Sequence, residues 1–167
     1  MGDQLIFSDK EIVFLRELSR NQVPFMVVGL SAAALQGAPM VTQDVDLWFR
    51  DIRHAGLHKA LRKVGGVLVP SIGLNPPALA GESVACFDIV LTMHGIGEFD
   101  AEASRAISVS LENFSIPVLP LERIIASKRF LNREKDRMAL PALKAAAAAL
   151  RAAPGAAKPS ARKKMDS

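Results

Sequence analysis

The chain has 167 residues, half of them apolar, which is enough for one modest core and excludes a disordered polyelectrolyte. The single cysteine, Cys86, excludes an internal disulfide framework and fits a reducing, cytoplasmic setting. The net charge of +4 resides in the segment from Arg151 onward, five basic residues against Asp166, while residues 1–150 balance at 16 basic against 16 acidic, so the total does not imply a basic face. No opening segment has signal character. The most apolar stretch, Val84 to Met93, is too short to span a bilayer and is interrupted by Asp88.

In chain order, Ser8-Asp9-Lys10-Glu11 has capping-box spacing, and Ile12, Phe14, Leu15 and Leu18 follow as an apolar stripe. This predicts a helix to about Asn21. After Pro24, Phe25-Met26-Val27-Val28 predicts a buried strand broken by Gly29. Ser31 to Gln36 predicts a short helix ended by Gly37 and Pro39, and Asp44 to Phe49 a second strand. Leu57, Ala60, Leu61 and Val64 recur at helical spacing within 52–64, before the Gly65-Gly66 stop. A short strand at Val67 to Val69 leads into a Pro/Gly-rich loop over 70–81.

Val84 to Thr92 predicts a strand, Phe99 to Ala106 a helix, and Ile116 to Leu119 an edge strand, where Pro117 is tolerated. Pro120 suits the first turn of a helix to about Leu131, and a further helical stretch runs from about Arg133 to Leu150 with Pro141 as a break or restart. Beyond Ala153 the Ala/Pro/Lys composition lacks an apolar face, so residues 151–167 are expected to be a disordered tail on a single 1–150 domain. The expected architecture is α+β: a small mixed sheet with helices mainly on one face and a C-terminal helical segment.

Asp44 and Asp46 lie two apart on a predicted strand, so both side chains point to one face while Val45, Leu47 and Phe49 point to the other. A solvated strand with two surface charges has the same pattern. The alternative use is metal binding, because Mg²⁺ takes oxygen ligands, usually one or two carboxylates plus substrate phosphates. The preceding Val27-Val28-Gly29-Leu30-Ser31-Ala32 runs from strand through glycine into a helix start, the geometry of a phosphate cradle, although Ser31 is also an ordinary N-cap. Asp88 interrupts an apolar strand, where a charge needs an ion-pair partner, a metal or a cleft. Lys128 continues the apolar stripe of Leu121, Ile124 and Ile125, either snorkelling to solvent or reaching toward a bound triphosphate.

Val28-Gly29-Leu30-Ser31-Ala32 followed by Thr42-Gln43-Asp44-Val45-Asp46-Leu47 resembles the glycine–serine and Asp-x-Asp motifs of the DNA polymerase β-like nucleotidyltransferases. Ile124-Ile125-Ala126-Ser127-Lys128, with Asn132-Arg133-Glu134-Lys135-Asp136, resembles the lysine and Lys-Asp helices of the AbiEii-type branch, which includes toxins of bacterial toxin–antitoxin modules. The resemblance covers roughly residues 23 to 143. It implies a minimal nucleotidyltransferase fold and transfer of a nucleoside monophosphate from an NTP to a hydroxyl of RNA or protein, with an antitoxin protein as a partner.

By position, the resemblance assigns phosphate contact to Gly29 and Ser31, Mg²⁺ (or Mn²⁺) binding to Asp44 and Asp46, and the third acid, a metal ligand or general base, to Asp88. It assigns the site lysine to Lys128 and the helix aspartate of the nucleotide site to Asp136. Two positions depart from the pattern: Leu30 stands where relatives often have a second glycine, and Met40 where they often have an arginine. Alternative readings are transfer to a small molecule such as a hydroxylated antibiotic, with the 70–81 loop shaping the acceptor pocket, and a degenerate module that binds nucleotide or a partner without turnover.

Overall fold

The computed structural model describes residues 6–153 and 162–163. The first half of the chain runs β1 (Ile6–Phe7), α1 (Asp9–Arg20), β2 (Phe25–Val28), α2 (Gly29–Leu35), β3 (Val45–Phe49), α3 (Ala55–Val64), β4 (Val67–Val69) and β5 (Ala78–Ala80). The second half runs β6 (Phe87–Val90), α4 (Phe99–Ala103), β7 (Ile107–Leu111), β8 (Phe114–Val118), α5 (Leu121–Leu131), α6 (Glu134–Ala152) and β9 (Arg162–Lys163). The expected tail lies mostly outside the described residues; β9, within it, pairs in parallel with β1.

Five strands form a mixed sheet in the order β6-β3-β2-β8-β7. β3 is antiparallel to β2 and parallel to β6, and β8 is parallel to β2 and antiparallel to β7. The α+β reading therefore holds, with six helices among the described residues flanking a small mixed sheet. Alternation along the strands separates its two faces. Val45, Leu47 and Phe49 are buried on one face together with Phe87, the register partner of Val45. There Phe14 of α1 meets Phe87 at a ring separation of 5.3 Å, and α1 packs against α3. The capping box that starts α1 is formed, with Ser8 N donating to Glu11 Oε2 at 2.8 Å and Glu11 N donating to Ser8 Oγ at 3.3 Å. Asp46 and Trp48 occupy the opposite face of β3. Phe99 closes over Trp48 edge to face at 5.3 Å, while the Asp46 end of that face stays open.

Several elements differ from expectation. The 70–81 segment contains β5, which pairs with β4 as a hairpin beside α3 and β6, and it does not line the cleft described below. The alternation Ile107-Ser108-Val109-Ser110-Leu111 forms β7, which joins β8 in a hairpin. That hairpin moves β8 from the sheet edge to its interior; Pro117 is accommodated because pairing with β2 is confined to Val118, just beyond it. α6 runs unbroken through Pro141. Proline there deprives the Arg137 carbonyl of its helical partner, and burial of Leu143 and Ala147 in the core holds the helix in line. Among the described residues no helix is long and apolar enough to cross a membrane.

Candidate active site

The open part of the sheet face forms a cleft of about 520 Å³, walled on one side by β2, β3 and β6 and on the other by α5 and the start of α6. Asp44, Asp46 and Asp88 line the first wall, and Lys128 lines the second. Asp46 and Asp88 are register partners on adjacent parallel strands, so their carboxylates share a face. Asp44 stands just before β3, on a turn where Thr42 Oγ1 donates to the Asp44 carbonyl at 2.8 Å.

Asp46 is half-buried and Asp88 exposed. Burial, then the neighbouring charges of Asp88 and Asp44, pushes the Asp46 carboxyl up to about 6. Burial and the charge of Asp44 raise Asp88 as well. No arginine pairs with Asp88 among the described residues, so its charge is explained by the cleft it faces.

Gly29 also lines the cleft, and two independent facts require glycine there. Its φ is +65°, and a Cβ at this position would collide with the Asp46 carboxylate. α2 begins at Gly29 rather than at Ser31, with Val28 as its N-cap. Ser31 is fully buried behind the wall. Its hydroxyl donates to the Val28 carbonyl at 2.8 Å and accepts from Asp46 N at 3.1 Å, fastening α2 to β3. Both bonds stay inside the fold, so Ser31 sets where Gly29 and Asp46 meet.

Lys128 emerges at the edge of the α5 stripe with its side chain 14% exposed and bonds Asp136 Oδ1 at 3.1 Å. Asp136 itself is fully buried and does not line the cleft. It also receives Arg133 Nε at 2.6 Å and the Arg133 backbone N–H at 3.1 Å, capping α6. The Arg133 guanidinium, more than the lysine, holds the Asp136 carboxyl well below the usual carboxylate range. Asp136 thus fixes two cations and touches the cleft only through them.

Sequence reasoning assigned no role to several residues that build the site. Buried Gln36 donates to the Leu119 carbonyl at 2.8 Å and accepts from Leu121 N at 3.0 Å, which locks the end of α2 to the start of α5. Ser127 Oγ donates to the His94 carbonyl at 2.6 Å and ties the loop after β6 to α5. Arg133, Lys135 and His94 line the cleft. Asn132–Asp136 was recognisable as a motif, but the positions of its cations relative to the carboxylates depend on the α5–α6 turn. Leu30 lines the cleft, and Met40 packs against the core.

A hard divalent cation suits this donor set. Among the described residues no group of three or more His, Cys, Asp or Glu side chains is placed to hold a metal ion together. Mg²⁺ does not need one, because it keeps several waters and takes phosphate oxygens alongside one or two carboxylates. Burial is the main cause that raises Asp46 and Asp88, and the added repulsion, from Asp88 and Asp44 at Asp46 and from Asp44 at Asp88, is what such a cation would relieve.

No protein-family model matches the sequence, and no curated protein is significantly similar to it. The fold is similar to that of solved structures. One is a crystal structure of ANT(2'')-Ia in complex with adenylyl-2''-tobramycin, with a TM-score of 0.51 and 14% identity over 84% of this chain and 94% of that chain. Another is a solution structure of the antibiotic-resistance factor ANT(2'')-Ia, with a TM-score of 0.52 and 14% identity over 86% of this chain and 90% of that one. The chain thus has the fold of these nucleotidyltransferase structures over most of its length.

Proposed function

We propose that the chain is a nucleotidyltransferase that moves a nucleoside monophosphate from an NTP to a hydroxyl of a small polar molecule. The observation that carries this reading is the gathering of Asp44, Asp46 and Asp88 on one wall of a cleft whose other wall bears Lys128. The cleft volume falls within the range of small-molecule sites. The adenylylated tobramycin bound to a structure of the same fold supports the same acceptor class.

Asp44 and Asp46 are the residues that would hold Mg²⁺ or Mn²⁺, with Asp88 beside them. The ion would supply charge neutralisation at the transferring phosphoryl group and activation of the attacking oxygen. Gly29 lets the backbone lie against Asp46 where a side chain would not fit. Asp88, with its raised proton affinity, accepts the acceptor hydroxyl proton. The new oxygen–phosphorus bond forms as the bond from the α-phosphorus to pyrophosphate breaks, and Lys128 stabilises the departing charge. Ser31 and Asp136 position these groups from behind the wall.

The toxin–antitoxin expectation draws no support from neighbours described as an antibiotic-resistance factor, and the AbiEii-type resemblance rests on sequence motifs alone. Transfer to RNA or protein, and a binding module without turnover favoured by Leu30 and Met40, are the readings to be separated by experiment. Each α-labelled NTP is incubated with Mg²⁺ and, in separate arms, polyhydroxylated small molecules including aminoglycosides, cellular RNA and cellular protein. We expect label on a small molecule with the wild type and none with Asp44→Ala/Asp46→Ala. Label confined to RNA or protein would replace the acceptor class. Absence of label in every arm, with no Mg²⁺-dependent NTP binding, would overturn the enzyme reading.

A further inference from the structure

The cation wall of the cleft contains three side chains, and they are not equivalent. Lys128 and Arg133 both bond Asp136, whose carboxylate neutralises part of their charge and holds both groups toward the α5–α6 junction. Lys135, one residue before Asp136 in the first turn of α6, is exposed and lines the same cleft. It makes no hydrogen bond or ion pair among the described residues. Met40 packs against the core and brings no charge to the cleft. The wall therefore has two tethered cations and one untethered cation.

We infer that Lys135 is a triphosphate-binding residue, which reaches across the mouth of the cleft to the phosphates beyond the one transferred. The inference rests on the nucleotidyltransferase reading and deepens it. Its physical basis is the division of charge between the walls. An NTP with its α-phosphate at Asp44, Asp46 and Asp88 must carry its remaining phosphates toward the cations, because the carboxylate wall repels them. Lys128 and Arg133 can serve there only while still bonded to Asp136. Lys135 is not bonded to Asp136 or to any other carboxylate among the described residues, so its ammonium can turn to the ligand without breaking an ion pair. An ammonium on a flexible stem suits a terminal phosphate whose position varies with the attached nucleoside.

The test compares equilibrium binding of an NTP with that of the matching NMP, both with Mg²⁺, by isothermal titration calorimetry. The NTP is the one of ATP, GTP, CTP and UTP that the wild type binds tightest. We expect Lys135→Ala to weaken NTP binding about tenfold, the scale of one lost charge-assisted contact, and to leave NMP binding unchanged. Lys135→Arg should restore most of the NTP affinity. Inorganic tripolyphosphate should compete with NTP on the wild type and do so less well on Lys135→Ala. Equal NTP affinity in wild type and Lys135→Ala, or an equal loss for NTP and NMP, would overturn the inference. A wild type that binds no NTP at all would instead overturn the underlying functional reading. Lys135 is exposed, so the substitution leaves the fold intact, which a matching circular dichroism melt verifies.

Discussion

Asp46 on β3 and Asp88 on β6 are register partners, which sets two like charges side by side on one face of the sheet. This arrangement costs stability when both are ionised. The Asp46 carboxyl is raised from 3.8 to about 6, so the native state binds its proton more tightly than the unfolded state does. Its favourable contribution is complete below 3.8 and is lost as pH rises through about 6. Without divalent ions, Asp46→Asn should therefore melt higher than the wild type at pH 7.5. The difference should close toward pH 4. Calorimetric melts across that range measure it directly.

Gly29 is held at φ +65° with no room for a Cβ beside Asp46. Gly29→Ala should lose about 1–2 kcal/mol from backbone strain, while the collision is relieved by movement of the Asp46 carboxylate. Chemical denaturation gives the stability change. Any folded Gly29→Ala protein should also lose Mg²⁺-dependent NTP binding, since relief of the collision displaces the Asp46 carboxylate.

Ser31→Ala removes the hydroxyl that joins Val28 and Asp46. The Asp46 N–H then loses that hydrogen bond, at a cost of about 1 kcal/mol. Because Ser31 acts by positioning, kcat should fall more than NTP affinity. A variant with affinity lost and kcat intact would show instead that the hydroxyl touches phosphate.

Asp136→Ala leaves Lys128 and Arg133 facing each other without their shared anion. We expect a loss of about 3 kcal/mol at pH 7, the low end for breaking a buried pair, because the Arg133 side chain is 49% exposed. The folded Asp136 carboxyl lies below its ordinary 3.8, so its contribution is present above that value and declines as pH falls toward the depressed one. Urea unfolding at pH 7 and pH 3 should show a smaller gap between wild type and variant at the lower pH.

The parts of the site legible in the sequence are those whose geometry is local. Strand alternation turned Asp46 away from the core, the stripe of α5 aimed Lys128 toward its edge, and the apolar surroundings of Asp88 called for a cleft or a partner; Asp44 lines the same cleft from the turn before β3, one residue outside the strand expected to begin with it. Gln36 was not legible, because its partners lie 83 and 85 residues away. The cleft roles of Arg133 and Lys135 were hidden for a related reason: they depend on the turn at Asn132, a non-glycine residue with φ of +49°, which swings α6 back against α5. The β7 strand is visible in the alternation of Ile107 to Leu111, directly after the helical pattern of α4. Ser31 had the right residue type for a phosphate contact, yet burial turned its hydroxyl to the fold's own backbone.

The central claim is that Asp44 and Asp46 hold a divalent cation that works with bound NTP. Electron paramagnetic resonance of Mn²⁺ titrated with protein and NTP tests it most directly. The expected result is Mn²⁺ immobilised by the wild-type protein with NTP and, in Asp44→Asn/Asp46→Asn, only the signal that Mn²⁺ and NTP give without protein. Equal Mn²⁺ immobilisation by the wild type and the double variant would contradict the claim.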